Sequence, residues 1–126
     1  MINIMYTANW LNSRQNEFFK PYGISPQQFN ILRILKGSGE PLKVQVIKER
    51  MIERSPNATR LMDKLCEKGL IERIPCQEDR RVVHIVITKK GLALLKEISN
   101  NLKQDLLNNL TLKEAKQLSD LLDKIR

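Results

Sequence analysis

Two changes of hydrophobic period in the middle of the chain restrict its fold more than any other feature. Ala58, Leu61, Met62, Leu65 and Cys66 fall on one stripe of a helix that Gly69 closes. Beyond Gly69 the spacing becomes that of extended chain. Ile71 to Pro75 reads as one strand, Cys76 to Arg81 as a polar turn, and Val82 to Ile87 as a β-branched return strand with Val83, Ile85 and Ile87 on one face. At Thr88, which can cap, the pattern turns helical again, with Leu92, Leu95, Ile98, Leu102 and Leu106 at three- and four-residue spacing. The spacing therefore predicts a helix, a tight hairpin and a long helix in succession.

What precedes and follows this centre is helical. Ile4, Leu11 and Phe18 recur every seven residues beside Met5, Trp10 and Phe19, so a first amphipathic helix runs to Lys20 and is stopped by Pro21, Tyr22 and Gly23. Ser25 offers an N-cap, Pro26 suits the first helical position, and Gln28 completes a Ser-x-x-Gln capping box. The helix they open buries Phe29, Leu32 and Leu35 and ends at Gly37, Ser38 and Gly39. Pro41 to Val44 is extended at most, and Val46, Ile47 and Met51 give a brief third helix ending near Ile52. Ser55 as cap and Pro56 in the first turn open the helix ahead of Gly69. Thr111 with Glu114 forms another capping box, opening a last helix with Ala115, Leu118, Leu121 and Leu122. The expected fold is mainly α with a small β-hairpin, an α+β arrangement in one domain over residues 1–126.

The outer helices carry apolar stripes with little domain to pack upon. Left wet, such stripes forgo about 25 cal/mol per Å², so a two-fold partner is expected to cover them. Residues 1–22 and 92–126 are thus read as dimerisation helices, and 23–91 as a separate lobe.

Charge points to what the lobe meets. The formal net charge is +8 and the pI about 9.7, which favours a polyanion because phosphate contacts release condensed counterions. From Arg54 to Lys90 there are nine Lys and Arg against five acids, whereas from Gly91 to the end six bases face five acids. The excess is central.

A helix that reads a major groove needs polar or basic residues at its start. Ser55, Asn57, Thr59 and Arg60 meet that need, with Lys64 one turn on and Arg73 in the following strand. The same pattern also suits the solvated face of an ordinary surface helix. The hairpin tip carries Glu78, Asp79, Arg80 and Arg81, where a carboxylate can fix one guanidinium while another projects into a narrow minor groove. Helix and hairpin stand in the order of a winged helix-turn-helix.

With those residues in view, the chain resembles the MarR (multiple antibiotic resistance regulator) family. The resemblance rests on Gly23-Ile24-Ser25 with Gln28-Phe29 and Leu32, on Thr59 to Leu65, on Lys68 to Arg73, and on Asp79-Arg80-Arg81 followed by Ile85 to Gly91. The last stretch is similar to the family's D-x-R wing signature and to the T-x-x-G that starts its long helix; Pro56-Asn57 stands where a Ser/Thr pair is more usual. The resemblance implies a homodimer whose two winged helices bind double-stranded DNA at a pseudo-palindromic operator. Arg81 would then be the wing arginine that Asp79 holds, with Arg80 its alternate, and Asn57, Thr59 and Arg60 would make major-groove contacts. It also implies a small aromatic or amphipathic effector, for which Tyr6, Trp10, Phe18 and Tyr22 are the candidate lining, although the same four suit a dimer core.

Enzyme chemistry is not expected, because no nucleophile-base pair, phosphate loop or paired carboxylate motif is present and His84 is the single imidazole. No cofactor or metal is expected, since Cys66 and Cys76 form no ligand cluster with His84. Without a signal peptide or long apolar run, the expected setting is a reduced cytoplasm and no membrane. Cys66 reads as packing, whereas Cys76 beside Arg80 and Arg81 has the surroundings of a reactive thiol, leaving a redox-sensing regulator open. A winged-helix module that binds protein is the other rival, and it would respond weakly to salt.

Overall fold

The computed structural model describes residues 1–52, 56–102 and 108–126. Helix α1 spans Ile2–Phe19 and passes through a single 3₁₀ turn, Lys20–Tyr22, to Gly23 in the left-handed region at φ 72°. Pro21 inside that turn stops the α-helix one residue earlier than Lys20. Helix α2, Pro26–Ser38, starts on the expected capping box: Gln28 N–H donates to Ser25 Oγ, and Ser25 N–H donates to Gln28 Oε1. Gly39 ends it, again left-handed.

Strand β1, Leu42–Lys43, leads directly into α3, Val44–Arg50. That helix stops two residues short of Ile52 because Met51 is already extended and the Ile52 N–H donates to Asn30 Oδ1 at 3.0 Å. Helix α4, Ala58–Glu67, departs from expectation at its start. Pro56 and Asn57 form a turn, Asn57 takes the N-cap position, and its carbonyl accepts the first helical bond from Leu61 N–H at 2.9 Å. Ser55, read as the cap and as a DNA contact, lies outside the described residues.

The hairpin consists of β2, Ile71–Pro75, and β3, Val83–Ile87, paired antiparallel with Arg73 opposite Ile85 and Pro75 opposite Val83. Val82 is not in the strand, since its N–H closes the turn on the Asp79 carbonyl at 3.0 Å. A third strand was not expected: Leu42 and Lys43 of β1 pair with Ile85 and His84, which makes β3 the centre of a sheet ordered β1-β3-β2. Pro75, lacking an N–H, is tolerated because β2 is an edge.

Thr88 caps α5, Lys89–Asn101, its Oγ1 accepting from Gly91 N–H at 3.1 Å. Leu106, placed on the same stripe, lies outside the described residues. Helix α6, Leu112–Ile125, opens on the Thr111–Glu114 capping box.

The core gathers where the lobe's helices meet the sheet. Ile31, Leu32, Ile47, Met62, Leu65, Ile71, Ile85, Leu95 and Ile98 are buried there almost completely. By contrast α6 buries no residue in this chain, and on it Leu112 is 93% and Ile125 70% exposed. Ile2, Met5 and Tyr6 on α1 are exposed as well.

Candidate nucleic-acid interface

Helix α4 is fixed by its apolar face. Ala58, Met62 and Leu65 are buried, which turns Thr59, Arg60 and Lys64 outward, all exposed, with Asn57 exposed at the N-cap. Ten residues are too few for a stable isolated helix, so the surroundings must hold it in place. Gln28 is one support that sequence reasoning had assigned only to its own cap. The side chain is buried, and while Oε1 stays on Ser25 N–H, Nε2 donates to the Leu61 carbonyl of α4 at 3.3 Å.

The wing tip differs from expectation in what its acid does. Asp79 Oδ1 accepts the backbone N–H of Arg81 at 3.0 Å, an Asx turn, instead of gripping a guanidinium. A carboxylate as short as that of Asp79 is well suited to the backbone N–H two residues on. Arg80 and Arg81 are exposed, and among the described residues neither has an ion-pair partner.

Arg73 behaves differently from the tip arginines. It shares a strand face with buried Ile71, and its guanidinium pairs with the Asp63 carboxylate on α4. That bond holds the Arg73 pKa above its ordinary value. Nothing in the sequence singled out Asp63; the only available signal was an acid on the helix ten residues before a base on the strand.

Two shallow clefts border the lobe, and Lys68 lines both. One, of about 410 Å³, runs between the end of α1, the start of α2 and α4, with Lys20, Ile24, Ser25, Leu61 and Lys64 on its walls. The other, of about 430 Å³, is lined by Tyr22, Leu70, Lys90, Ala93, Leu94 and Glu97. Of the four aromatic residues expected to line a ligand pocket, Tyr22 borders the second of these clefts, and the Phe18 ring lies tilted against it at 5.7 Å between centroids. Tyr6 and Trp10, 71% and 42% exposed, lie farther along α1 and border neither cleft.

Both cysteines are free and partly buried. Burial pushes the Cys66 thiol pKa up, with a smaller opposing pull from Arg73, consistent with a packing role. His84 sits in β3 opposite Ile74 and Lys43. Among the described residues no group of His, Cys, Asp or Glu is placed to hold a metal ion, and no helix is long and apolar enough to cross a membrane.

Comparison with known proteins agrees with this architecture. The MarR family model matches residues 24–83. The multiple antibiotic resistance protein MarR of Salmonella typhimurium is 32% identical over 127 residues, covering 97% of this chain and 88% of that one. The chain belongs to the MarR family. It is therefore a transcription regulator of mostly helical, winged-helix fold and not an enzyme. The HTH-type transcriptional regulator PecS of Dickeya dadantii is 30% identical over 116 residues, covering 87% of this chain and 69% of PecS. Among solved structures, a cysteine-to-serine variant of MarR from Escherichia coli complexed with operator DNA has a TM-score of 0.81 and 28% identity, covering 98% of this chain and 91% of that one.

Proposed function

We propose that this MarR-family chain acts as a homodimeric repressor that binds a pseudo-palindromic stretch of double-stranded DNA, α4 in the major groove and the β2–β3 wing in the minor groove. The observation that carries the reading is the pairing of an outward Thr59-Arg60-Lys64 face with two exposed tip arginines on one lobe of a chain of net charge +8. Asn57 and Thr59 reach base edges, Arg60 a guanine or a phosphate, and Lys64 the backbone. Ser55 is included on sequence grounds alone. At the wing, Asp79 sets the turn from which Arg81, with Arg80 as alternate, enters the minor groove, where a concentrated negative potential favours a cation.

Dimerisation is supported by the apolar residues that α1 and α6 leave uncovered. A small aromatic or amphipathic effector has a matching cleft in the one lined by Tyr22, Leu70, Leu94, Lys90 and Glu97, which offers apolar walls and both signs of charge. Bound there, it would change how the lobes are held and so release the DNA.

Arg81→Ala tests the wing. Fluorescence anisotropy on a duplex obtained by binding-site selection with the purified protein should show weaker binding, with an unchanged dimer by sedimentation. The logarithm of affinity should fall steeply and linearly with the logarithm of salt concentration. A salt-insensitive association, or a wild-type protein that selects no duplex, would instead favour the protein-binding alternative.

A further inference from the structure

The ion pair between the recognition helix and the wing has a role that the list of outward residues does not cover. Arg73 lies at the centre of β2, directly opposite Ile85, which is wholly buried, and two residues from buried Ile71. Its side chain therefore leaves the sheet on the inner face and meets α4 at Asp63. Asp63 stands one helical turn beyond Thr59, on the side of α4 that the core leaves free.

We propose that Arg73 is a positioning residue, not a DNA contact: with Asp63 it clamps the wing to the recognition helix and masks the one acid on the exposed side of that helix's first two turns. This inference rests on the DNA-binding reading above.

Geometry and charge both argue for it. The hairpin reaches roughly 15 Å from Arg73 to its tip at about 3.3 Å per residue, so a tilt of about 5° at its base moves the tip by about 1 Å. Small errors at the base thus become large ones at Arg81. Both partners are about half exposed, and exposed pairs add little to stability, so the pair is better explained by orientation than by folding. An unpaired Asp63 would also face phosphates that repel it.

Sign decides the test. Electrostatics alone predicts that Asp63→Ala, which removes an acid beside the duplex, tightens binding. The clamp predicts that it weakens binding. Anisotropy titrations of wild type, Asp63→Ala, Arg73→Ala and the double variant, on the duplex selected by the wild-type protein, are run across a salt series. Each single variant is expected to weaken binding roughly three- to tenfold, with the double no worse than Arg73→Ala alone. The slope against salt for Arg73→Ala should stay at the wild-type value, and minor-groove protection from hydroxyl radical should fade while the thermal midpoint moves by no more than about 3 °C. Arg73→Lys, which keeps the charge and can still reach the carboxylate, should recover most of the affinity and guards against a poorly folded alanine variant. The proposal is overturned if Asp63→Ala binds as well as or better than wild type, or if Arg73→Ala shortens the salt slope by about 0.9 per subunit, the signature of a lost phosphate contact. If wild type itself binds no duplex, the DNA-binding reading fails; if it binds and the two residues act independently, only the clamp fails.

Discussion

Gly91→Ala puts two elementary effects in direct opposition. Alanine is the better helix former by about 1 kcal/mol, so at the third position of α5 propensity alone predicts a gain. The structure predicts a loss. A Cβ built at Gly91 would lie 2.2 Å from the Leu70 carbonyl oxygen and 2.7 Å from Ile87 Cγ1. Ordinary carbon-oxygen contact begins near 3.3 Å, so α5 would have to retreat by about 1 Å from the backbone at the start of β2. That backbone is held: the same Leu70 oxygen accepts the Thr88 N–H at 3.1 Å, and Thr88 Oγ1 donates to the Gly69 carbonyl at 2.6 Å. Overpacking of this kind costs about 1–3 kcal/mol, and a weakened backbone bond about 1 kcal/mol more. Set against the propensity gain, the net expectation is a loss of about 2 kcal/mol. Urea unfolding at one fixed protein concentration, which holds constant any contribution from the proposed dimer, should bring the midpoint down by about 1 M at a slope near 2 kcal/mol/M. A midpoint equal to or above wild type would refute the steric reasoning and leave propensity as the governing effect.

Gly37→Ala is the companion experiment, since a Cβ there meets nothing within 4 Å; stability by the same urea assay should rise by about 0.5–1 kcal/mol. Glu114 gives a pH-dependent expectation. Hydrogen bonds from Thr111, the backbone N–H foremost, hold its carboxyl below the ordinary value of 4.5, so the cap's contribution is complete above that value and is lost as pH falls through the lower folded value. The Thr111 amide resonance should follow that acid transition and lose it in Glu114→Gln, whereas a transition above pH 4.5 would contradict the assignment.

Features specified by neighbours a few residues apart were legible before any coordinates. The Ser25–Gln28 and Thr111–Glu114 boxes, the Thr88 cap and the β2–β3 hairpin each depend on side chains three or four positions apart, or on a single alternating run. What escaped depends on groups distant in sequence. Strand β1 is two residues long and exists because β3, some forty positions on, offers a free edge. Gly91 matters because of the Leu70 carbonyl, and Arg73 turns inward because Asp63 waits on α4. At the start of α4, Pro56 and Asn57 fold into a turn and the helix waits for Ala58, a local choice between a turn and a first helical turn that the sequence around Pro56 leaves open. At the wing tip the choice between a guanidinium and a backbone N–H as the partner of Asp79 is decided by geometry that composition does not carry.

The same long-range bonds explain why a lobe this small can hold α4 in a set direction. Gln28 ties α4 to α2 from one side, and Arg73 ties it to the sheet from the other. At the C-terminal end of the helix, the Lys68 ammonium donates to the carbonyl of Gly23, the left-handed residue at which α1 gives way to α2, while its own carbonyl accepts from Lys90 Nζ at 2.9 Å. Asn101 of α5 donates to the Tyr22 hydroxyl at 2.5 Å across that joint. Helix α4, the β2–β3 hairpin and the end of α1 are thus linked through a few polar bonds at the margin of the core, where exposure makes each easier to break than an apolar contact within it. Tyr22, Lys68 and Lys90 also line the 430 Å³ cleft. In the proposed dimer, a molecule lodged there would meet the groups that tie the end of α1 to the lobe before it met Thr59, Arg60 or Lys64, so its effect on DNA binding would pass through the spacing of the paired lobes and not through competition for the groove.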